Sequence, residues 1–79
     1  ISEGIAERVK KYLNKALSYD DKNIIANLSK GIWHAEIINQ AGKTLARALY
    51  GAKPDIAQQH FQKVIDQNNY EIVIHIADV

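Results

Sequence analysis

The chain has 79 residues, of which 47% are apolar, and ten lysines and arginines against nine aspartates and glutamates give a net charge of +1. This length allows one domain at most. A net charge so close to zero provides no field that favours nucleic acid or an anionic membrane, and no apolar run approaches the ~20 residues of a membrane helix. The chain contains no cysteine, which excludes disulfides and thiolate metal sites.

The first predicted helix begins after Ser2, because a serine followed by Glu3 suits a helix start. Its apolar residues recur at spacings of three and four, as in a helix with one buried face. They are Ile5, Val9, Tyr12, Leu13, Ala16 and Leu17. We expect this face to be buried. Aspartates and asparagines in residues 18–23 favour a turn, and Asp21 or Asn23 would cap the next helix.

Residues 24–50 contain no proline, and their apolar residues keep a helical spacing throughout. This pattern predicts one long helix, or two pieces that meet near residues 39–42. Gly42 is the point of doubt, since glycine inside a helix costs about 1 kcal/mol relative to alanine. Gly31 carries the same cost next to Trp33, and we interpret its missing side chain as room for another helix to approach.

A break between helices is predicted at residues 51–55. Gly51 suits a left-handed helix end, and Pro54 suits the first turn of the helix that follows, which should reach about Ile65. After a polar turn at residues 67–69, residues 70–79 are rich in β-branched side chains, which alone would indicate a strand. We predict a helix there, because a strand would have no other strand in the chain to pair with.

Residues 12–29 and 60–77 are similar when they are compared 48 positions apart, so that Lys15 aligns with Lys63. Most apolar positions align with apolar positions, among them Leu13 with Phe61 and Leu28 with Ile76. Each copy contains the end of an amphipathic helix, a short polar turn and the start of another helix. A fixed period in this range is typical of stacked helical repeats, whose units bury their apolar faces against one another.

Residues 14–23 resemble the end of the second helix of a tetratricopeptide repeat and the turn to the next unit. Residues 61–69 resemble the same place, and Ala57 and Phe61 have the spacing that this family uses for a small and then a large residue. The chain departs from the family in three ways. It lacks the proline of the inter-repeat turn, Val64 replaces an alanine, and the period is 48 instead of about 34.

The longer period has two possible explanations. The excess is close to four helical turns at 3.6 residues per turn, so a first helix lengthened over residues 24–50 would keep its apolar stripe on one side. Alternatively, residues 43–50 form a separate short helix that folds back on the pair. The sequence leaves both arrangements open.

The resemblance implies an all-α fold of antiparallel helical hairpins, stacked as a fragment of an α-solenoid from a longer protein. Residues 1–19 would be the second helix of one repeat, residues 23–67 one complete elongated hairpin, and residues 70–79 the first helix of the next repeat. The implied function is a non-enzymatic protein–protein interaction scaffold without a cofactor, which binds a partner's peptide or helix on the long helix. The partner-binding face would contain Ser29, Trp33, Glu36 and Gln40.

Trp33 would be the anchor of that face, since buried aromatic side chains dominate interface energetics. The alternative is that Trp33 packs between helices of the chain. We expect an intracellular protein, cytoplasmic or nuclear, that belongs to a multi-subunit complex and has neither a membrane nor nucleic acid as its partner. Self-association is expected through an exposed repeat edge formed by Ile72, Val73, Ile76 and Val79.

Catalytic or metal chemistry would have to use His34, His60 or His75. These histidines match no local metal-binding motif, so we predict neither a metal site nor a catalytic residue. The alternative function is a small nucleic-acid-binding or RNA-cleaving helical domain. In that case His34 or His75 would transfer protons, and the phosphates would be bound by Arg8, Lys10, Lys11 and Lys15.

Overall fold

The structure is a computed structural model that describes residues 3–67. In this range the chain forms helices and turns and contains no strand, which confirms the predicted all-α class. A short helix α3 continues directly into a π-helical segment. The elements are α1 (Glu3–Tyr19), α2 (Ile24–Ala41), α3 (Lys43–Leu45), the π-helical segment (Ala46–Tyr50) and α4 (Pro54–Asp66). The cap at Ser2 and the helix predicted for residues 70–79, with its exposed apolar edge, lie outside the described residues.

Helix α2 lies between α1 and α4 and runs antiparallel to both. On the α1 side, Trp33 Nε1 donates a hydrogen bond to the carbonyl oxygen of Ala6 at 3.0 Å. On the α4 side, the rings of His34 and His60 stack with their centroids 6.2 Å apart. Because α2 is covered from two directions, its apolar and small residues are spread around most of the helix.

The main apolar cluster lies where α1, α2 and the π-helical segment meet. Its buried members are mostly small, so the short segment after α2 can approach the other two helices closely. They are Ala6, Trp33, Ile37, Ala46 and Ala52, with Leu13, Ile38, Ala41 and Tyr50 packed against them.

The local signals at the helix ends are confirmed. Asn23 caps α2, since its side-chain oxygen accepts a hydrogen bond from the Ala26 N–H at 2.8 Å. Gly51 ends the π-helical segment in the left-handed region at φ 69°. Pro54 opens α4, where its missing N–H leaves no hydrogen bond unmade.

Residues 24–50 do not form one continuous helix. Helix α2 ends at Ala41, and Gly42 has φ 83° and ψ 160°, a combination that is open essentially to glycine alone. The following segment folds back toward α1, where Lys10 Nζ donates a hydrogen bond to the Tyr50 carbonyl oxygen at 3.5 Å. Of the two arrangements that the sequence leaves open, the structure has the second.

The prediction for the buried face of α1 is wrong for three of its six residues. Ile5, Val9 and Tyr12 are 56%, 41% and 69% exposed, whereas Ala6 is 2% exposed. Among residues 3–67, helix α1 packs against α2 and the π-helical segment, and these contacts cover only part of its surface. The apolar residues of α1 occupy a wider arc than that contact.

The described residues contain the α2–α4 hairpin with α1 before it, and further stacking into a solenoid stays a prediction. None of the helices within residues 3–67 is both long and apolar enough to cross a membrane. The position of α2 between two antiparallel neighbours places two kinds of site along its length. One is a polar cluster inside the α2–α4 interface, and the other is a groove on its surface.

Candidate functional site

The polar cluster in the α2–α4 interface is organised by Asn27, which is 0% exposed. Its Nδ2 group donates to the carbonyl oxygens of Asp21 and Asn23, both at 2.9 Å. Asn27 Oδ1 lies 3.0 Å from Nδ1 of His60 and can only accept, so Nδ1 of His60 carries the proton. The amide therefore joins the turn before α2 to the middle of α4.

His34 is the second buried polar residue and is 3% exposed. Its Nδ1 accepts a hydrogen bond from the backbone N–H of Lys53 at 3.0 Å, so the neutral ring carries its proton on Nε2. That Nε2–H group is buried and has no hydrogen-bond partner among the described residues. The His34 ring is stacked with the ring of His60 and is nearly perpendicular to the ring of Trp33, whose centroid is 4.8 Å away.

Both histidines are neutral at pH 7. Burial lowers the pKa of His34 from 6.5 to about 4, and the positive charge of Lys30 contributes in the same direction. Burial is also the main cause that lowers the pKa of His60. Two uncharged rings can stack inside the interface without the cost of a buried charge.

The cluster is poorly arranged for a metal ion. A histidine that binds a metal through Nε2 must carry its proton on Nδ1, but Nδ1 of His34 already accepts the Lys53 N–H. Residues 3–67 contain no group of three histidine or carboxylate side chains that could hold a metal. The chemistry that the cluster supports is hydrogen bonding between α2, α4 and their connections.

The RNA-cleaving alternative gains no support from the positions of its residues. His34 is enclosed by the fold, where a nucleic acid phosphate would not reach it. Lys10 lies with its ammonium group 5.4 Å from the centroid of the Trp33 ring and donates to the Tyr50 carbonyl, so it is used inside the chain. His75 lies outside the described residues.

A groove of about 400 Å³ lies on the surface between α2 and α4, and we call it the α2–α4 groove. The described residues that line it are apolar except for two amide side chains, and none carries a formal charge. They are Ala35, Ile38 and Asn39 on α2, and Pro54, Ala57, Gln58 and Phe61 on α4.

The residues of the predicted partner-binding face do not share one environment. Glu36 and Gln40 are exposed on α2 and Ser29 is half-buried. Trp33 is 7% exposed and hydrogen-bonded to the Ala6 carbonyl, so it packs between helices of the chain and does not offer its ring to a partner. Partner binding by Ser29, Glu36 and Gln40 stays a prediction.

The α2–α4 groove was not predicted, because Ala35 and Ile38 belong to the helical apolar pattern of residues 24–50, and such a pattern does not distinguish a buried face from the wall of a groove. A usable signal was present in the small residues Ala35 and Ala57, which leave space between two helices beside the large Phe61. The role of Asn27 had no signal in the sequence, since its partners come from a turn and from α4.

The chain matches no protein-family model, and comparisons with curated proteins and with solved structures gave no match. The resemblance to tetratricopeptide repeats therefore stays a prediction.

Proposed function

We propose that the chain is a non-enzymatic protein–protein interaction module, a fragment of a tetratricopeptide-like solenoid, that binds a peptide or helix of a partner protein. The site would be the α2–α4 groove together with the adjoining exposed face of α2. The observation that carries this proposal is the apolar lining of that groove, which lies along the contact between α2 and α4.

The lining of the groove defines the occupant. Its walls come from apolar side chains such as Ile38 and Phe61, and its described lining carries no formal charge, so inserted side chains should be apolar. Asn39 and Gln58 can each donate and accept hydrogen bonds, which suits the backbone groups of a bound peptide. A volume of about 400 Å³ lies within the range of ligand-binding clefts.

Helix α2 is well suited to support such a site. It is held from two sides, by the Trp33 to Ala6 hydrogen bond and by the contacts with α4. A surface on a rigid element loses little conformational entropy when a partner binds, which favours affinity. Glu36 and Gln40 lie on the exposed face next to this surface and would contact the polar side of the partner.

The test is selection of binding peptides from a random-peptide display library with the full chain as bait. We expect the selected peptides to carry apolar side chains. Ala35→Glu and Gln58→Glu place a charge in the groove and should weaken binding about tenfold or more, which is roughly 1.4 kcal/mol. Gln59→Glu is the matched control, because Gln59 is exposed on α4 outside the groove lining.

Each variant is checked for helix content by circular dichroism before binding is measured. Equal affinity of the selected peptides for Gln58→Glu and Gln59→Glu would show that they bind elsewhere. Selection of no peptide, or only of peptides without apolar side chains, would also contradict the proposed site. Glu36→Ala tests separately whether the exposed face of α2 contributes.

A further inference from the structure

A second surface of the chain runs along α1. Five of its residues recur at spacings of four, three, four and three, which is the heptad spacing of a helix that packs against another helix. We call them the α1 stripe, and they are Ile5, Val9, Tyr12, Ala16 and Tyr19. Val9, Tyr12 and Tyr19 are 41%, 69% and 81% exposed, and Ile5 continues the pattern at 56%.

The α1 stripe is narrow because the rest of the apolar surface of α1 is used by the fold. Ala6 is buried in the main apolar cluster, and Leu13 packs against that cluster. A helix that lies in a membrane surface needs a broad apolar face. An apolar stripe about two residues wide, like the α1 stripe, is typical of a helix that pairs with another helix in a coiled coil.

Positive charge follows one edge of the α1 stripe. Arg8 and Lys15 directly precede Val9 and Ala16 and occupy the flanking heptad positions that select the partner helix, and both are exposed. The opposite edge contains Ala6 and Leu13, which face the interior of the chain. Over residues 6–19 the flanking charges that could meet a partner are therefore those of Arg8 and Lys15, and the acidic Asp20 follows Tyr19 just beyond the end of α1.

A second copy of the chain fits this surface poorly. An antiparallel pair would bring Arg8 and Lys15 against the same residues of the other copy, so that like charges would oppose each other. A parallel pair would bring Arg8 against Leu13, which is engaged in its own core. A helix with carboxylates at these positions avoids both conflicts.

We propose that the α1 stripe binds an acidic amphipathic helix of a partner protein, with apolar residues at heptad spacing and carboxylates opposite Arg8 and Lys15. This surface is separate from the α2–α4 groove, because α4 packs against α2 and the groove is lined by those two helices alone among the described residues. The inference does not depend on the function proposed for the groove.

Two synthetic peptides test this proposal with the full chain. Both have leucine at the two apolar positions of each heptad. One has glutamate at both flanking positions and the other has lysine, and like-charge repulsion keeps each peptide from pairing with itself. Measured by fluorescence anisotropy, the glutamate peptide should bind at least about tenfold more tightly than the lysine peptide. Its affinity should fall as salt is raised, because salt screens exposed charges.

Charge reversal is the decisive variant. Arg8→Glu combined with Lys15→Glu should reverse the preference, so that the lysine peptide binds more tightly. Lys22→Glu combined with Lys43→Glu changes the net charge equally at exposed positions outside α1 and should leave the preference unchanged. Val9→Glu combined with Tyr12→Glu should abolish binding while circular dichroism stays that of the unsubstituted chain, since both side chains are exposed and lie outside the main apolar cluster.

Four results would overturn the proposal. The first is equal binding of the two peptides, or binding of neither. The second is binding that survives Val9→Glu with Tyr12→Glu. The third is a dimer of the chain in sedimentation equilibrium that this variant dissociates, which would assign the stripe to a second copy. The fourth is binding to phosphatidylserine vesicles that the same variant removes, which would assign it to a membrane.

Gln58→Glu should leave peptide binding to the stripe intact and so separates this site from the groove.

Discussion

Gly31 in α2 lies against the aromatic ring of Phe61 in α4, and a Cβ atom built on Gly31 would come within 2.7, 2.9 and 2.9 Å of three ring carbons. Such distances are too short for a real Cβ, so the two helices approach at a separation that glycine permits. Phe61 is also a wall of the α2–α4 groove. The contact with Gly31 therefore helps to position the surface on which we propose that a partner binds.

Replacement of Gly31 by alanine should lower the free energy of unfolding by about 1 kcal/mol. Overpacking against Phe61 costs about 1–3 kcal/mol, and the better helix propensity of alanine offsets about 1 kcal/mol of that. Urea unfolding followed by circular dichroism measures the change. Gly4→Ala is the control, because its Cβ would have nothing within 4 Å and the variant should gain stability. Equal gains in both variants would contradict the close packing.

The features that the sequence predicts well are those that depend on a few neighbouring residues. The cap at Asn23, the left-handed end at Gly51 and the helix start at Pro54 each follow from the backbone chemistry of one residue. The exposure of Val9 and Tyr12 could not be predicted in this way. An apolar stripe on α1 indicates that something packs on the helix, but whether that is the same chain or a partner depends on the number of helices around it.

Gly42→Ala distinguishes a helix that breaks at Gly42 from one continuous helix over residues 24–50. The substitution should change the free energy of unfolding in opposite directions in the two arrangements. At φ 83° and ψ 160° an alanine is strained, and the free energy of unfolding should fall by about 1–3 kcal/mol. In a continuous helix the same substitution would raise it by about 1 kcal/mol through helix propensity. Thermal and urea unfolding both report the sign, and a stabilised variant would refute the break at Gly42.

Asn27→Asp should be one of the most destabilising conservative substitutions in the chain. It removes the two hydrogen bonds donated to the carbonyls of Asp21 and Asn23 and places a carboxyl group against those oxygens at a fully buried position. We expect a loss of roughly 2–4 kcal/mol at pH 7. Asn39→Asp makes the same chemical change at an exposed position of α2 and should cost less than about 1 kcal/mol near the helix C-terminus. Similar losses in the two variants would mean that the Asn27 network contributes little.

The groove and the polar cluster could be predicted only in part because each depends on the pairing of α2 with α4. Gly31 indicates that a helix approaches α2, but nothing local to Gly31 identifies Phe61 as its neighbour. His34 and His60 are 26 positions apart, and their stacking follows from the antiparallel packing of the two helices. Sequence spacing alone therefore treats them as unrelated residues.

The buried histidines make stability depend on pH in a defined direction. Burial holds the pKa of His34 at about 4 instead of 6.5, so the unfolded chain binds more protons than the folded chain between these values. The folded state is therefore more stable relative to the unfolded chain above pH 6.5, where His34 is neutral in both, than at lower pH. This contribution to the free energy of unfolding is lost as the pH falls toward 4. A pKa lowering of this size for His34 corresponds to roughly 3 kcal/mol in the free energy of unfolding. The pKa of His60 is lowered as well, so His60 contributes in the same direction.

The charged groups around His34 and His60 determine how strongly the stability of the chain depends on pH. Lys30 from α2 opposes protonation of both His34 and His60. His60 and Lys10 also oppose protonation of His34, Lys63 opposes that of His60, and Asp55 favours that of His34. Urea unfolding of the unsubstituted chain and of His34→Gln at steps between pH 4 and pH 7.5 tests the assignment. Glutamine can still accept the Lys53 N–H but does not titrate, so the variant should lose less stability over this range. Carboxylates titrate in both proteins and cancel in the comparison. An equally steep loss in His34→Gln would show that other groups cause the acid sensitivity.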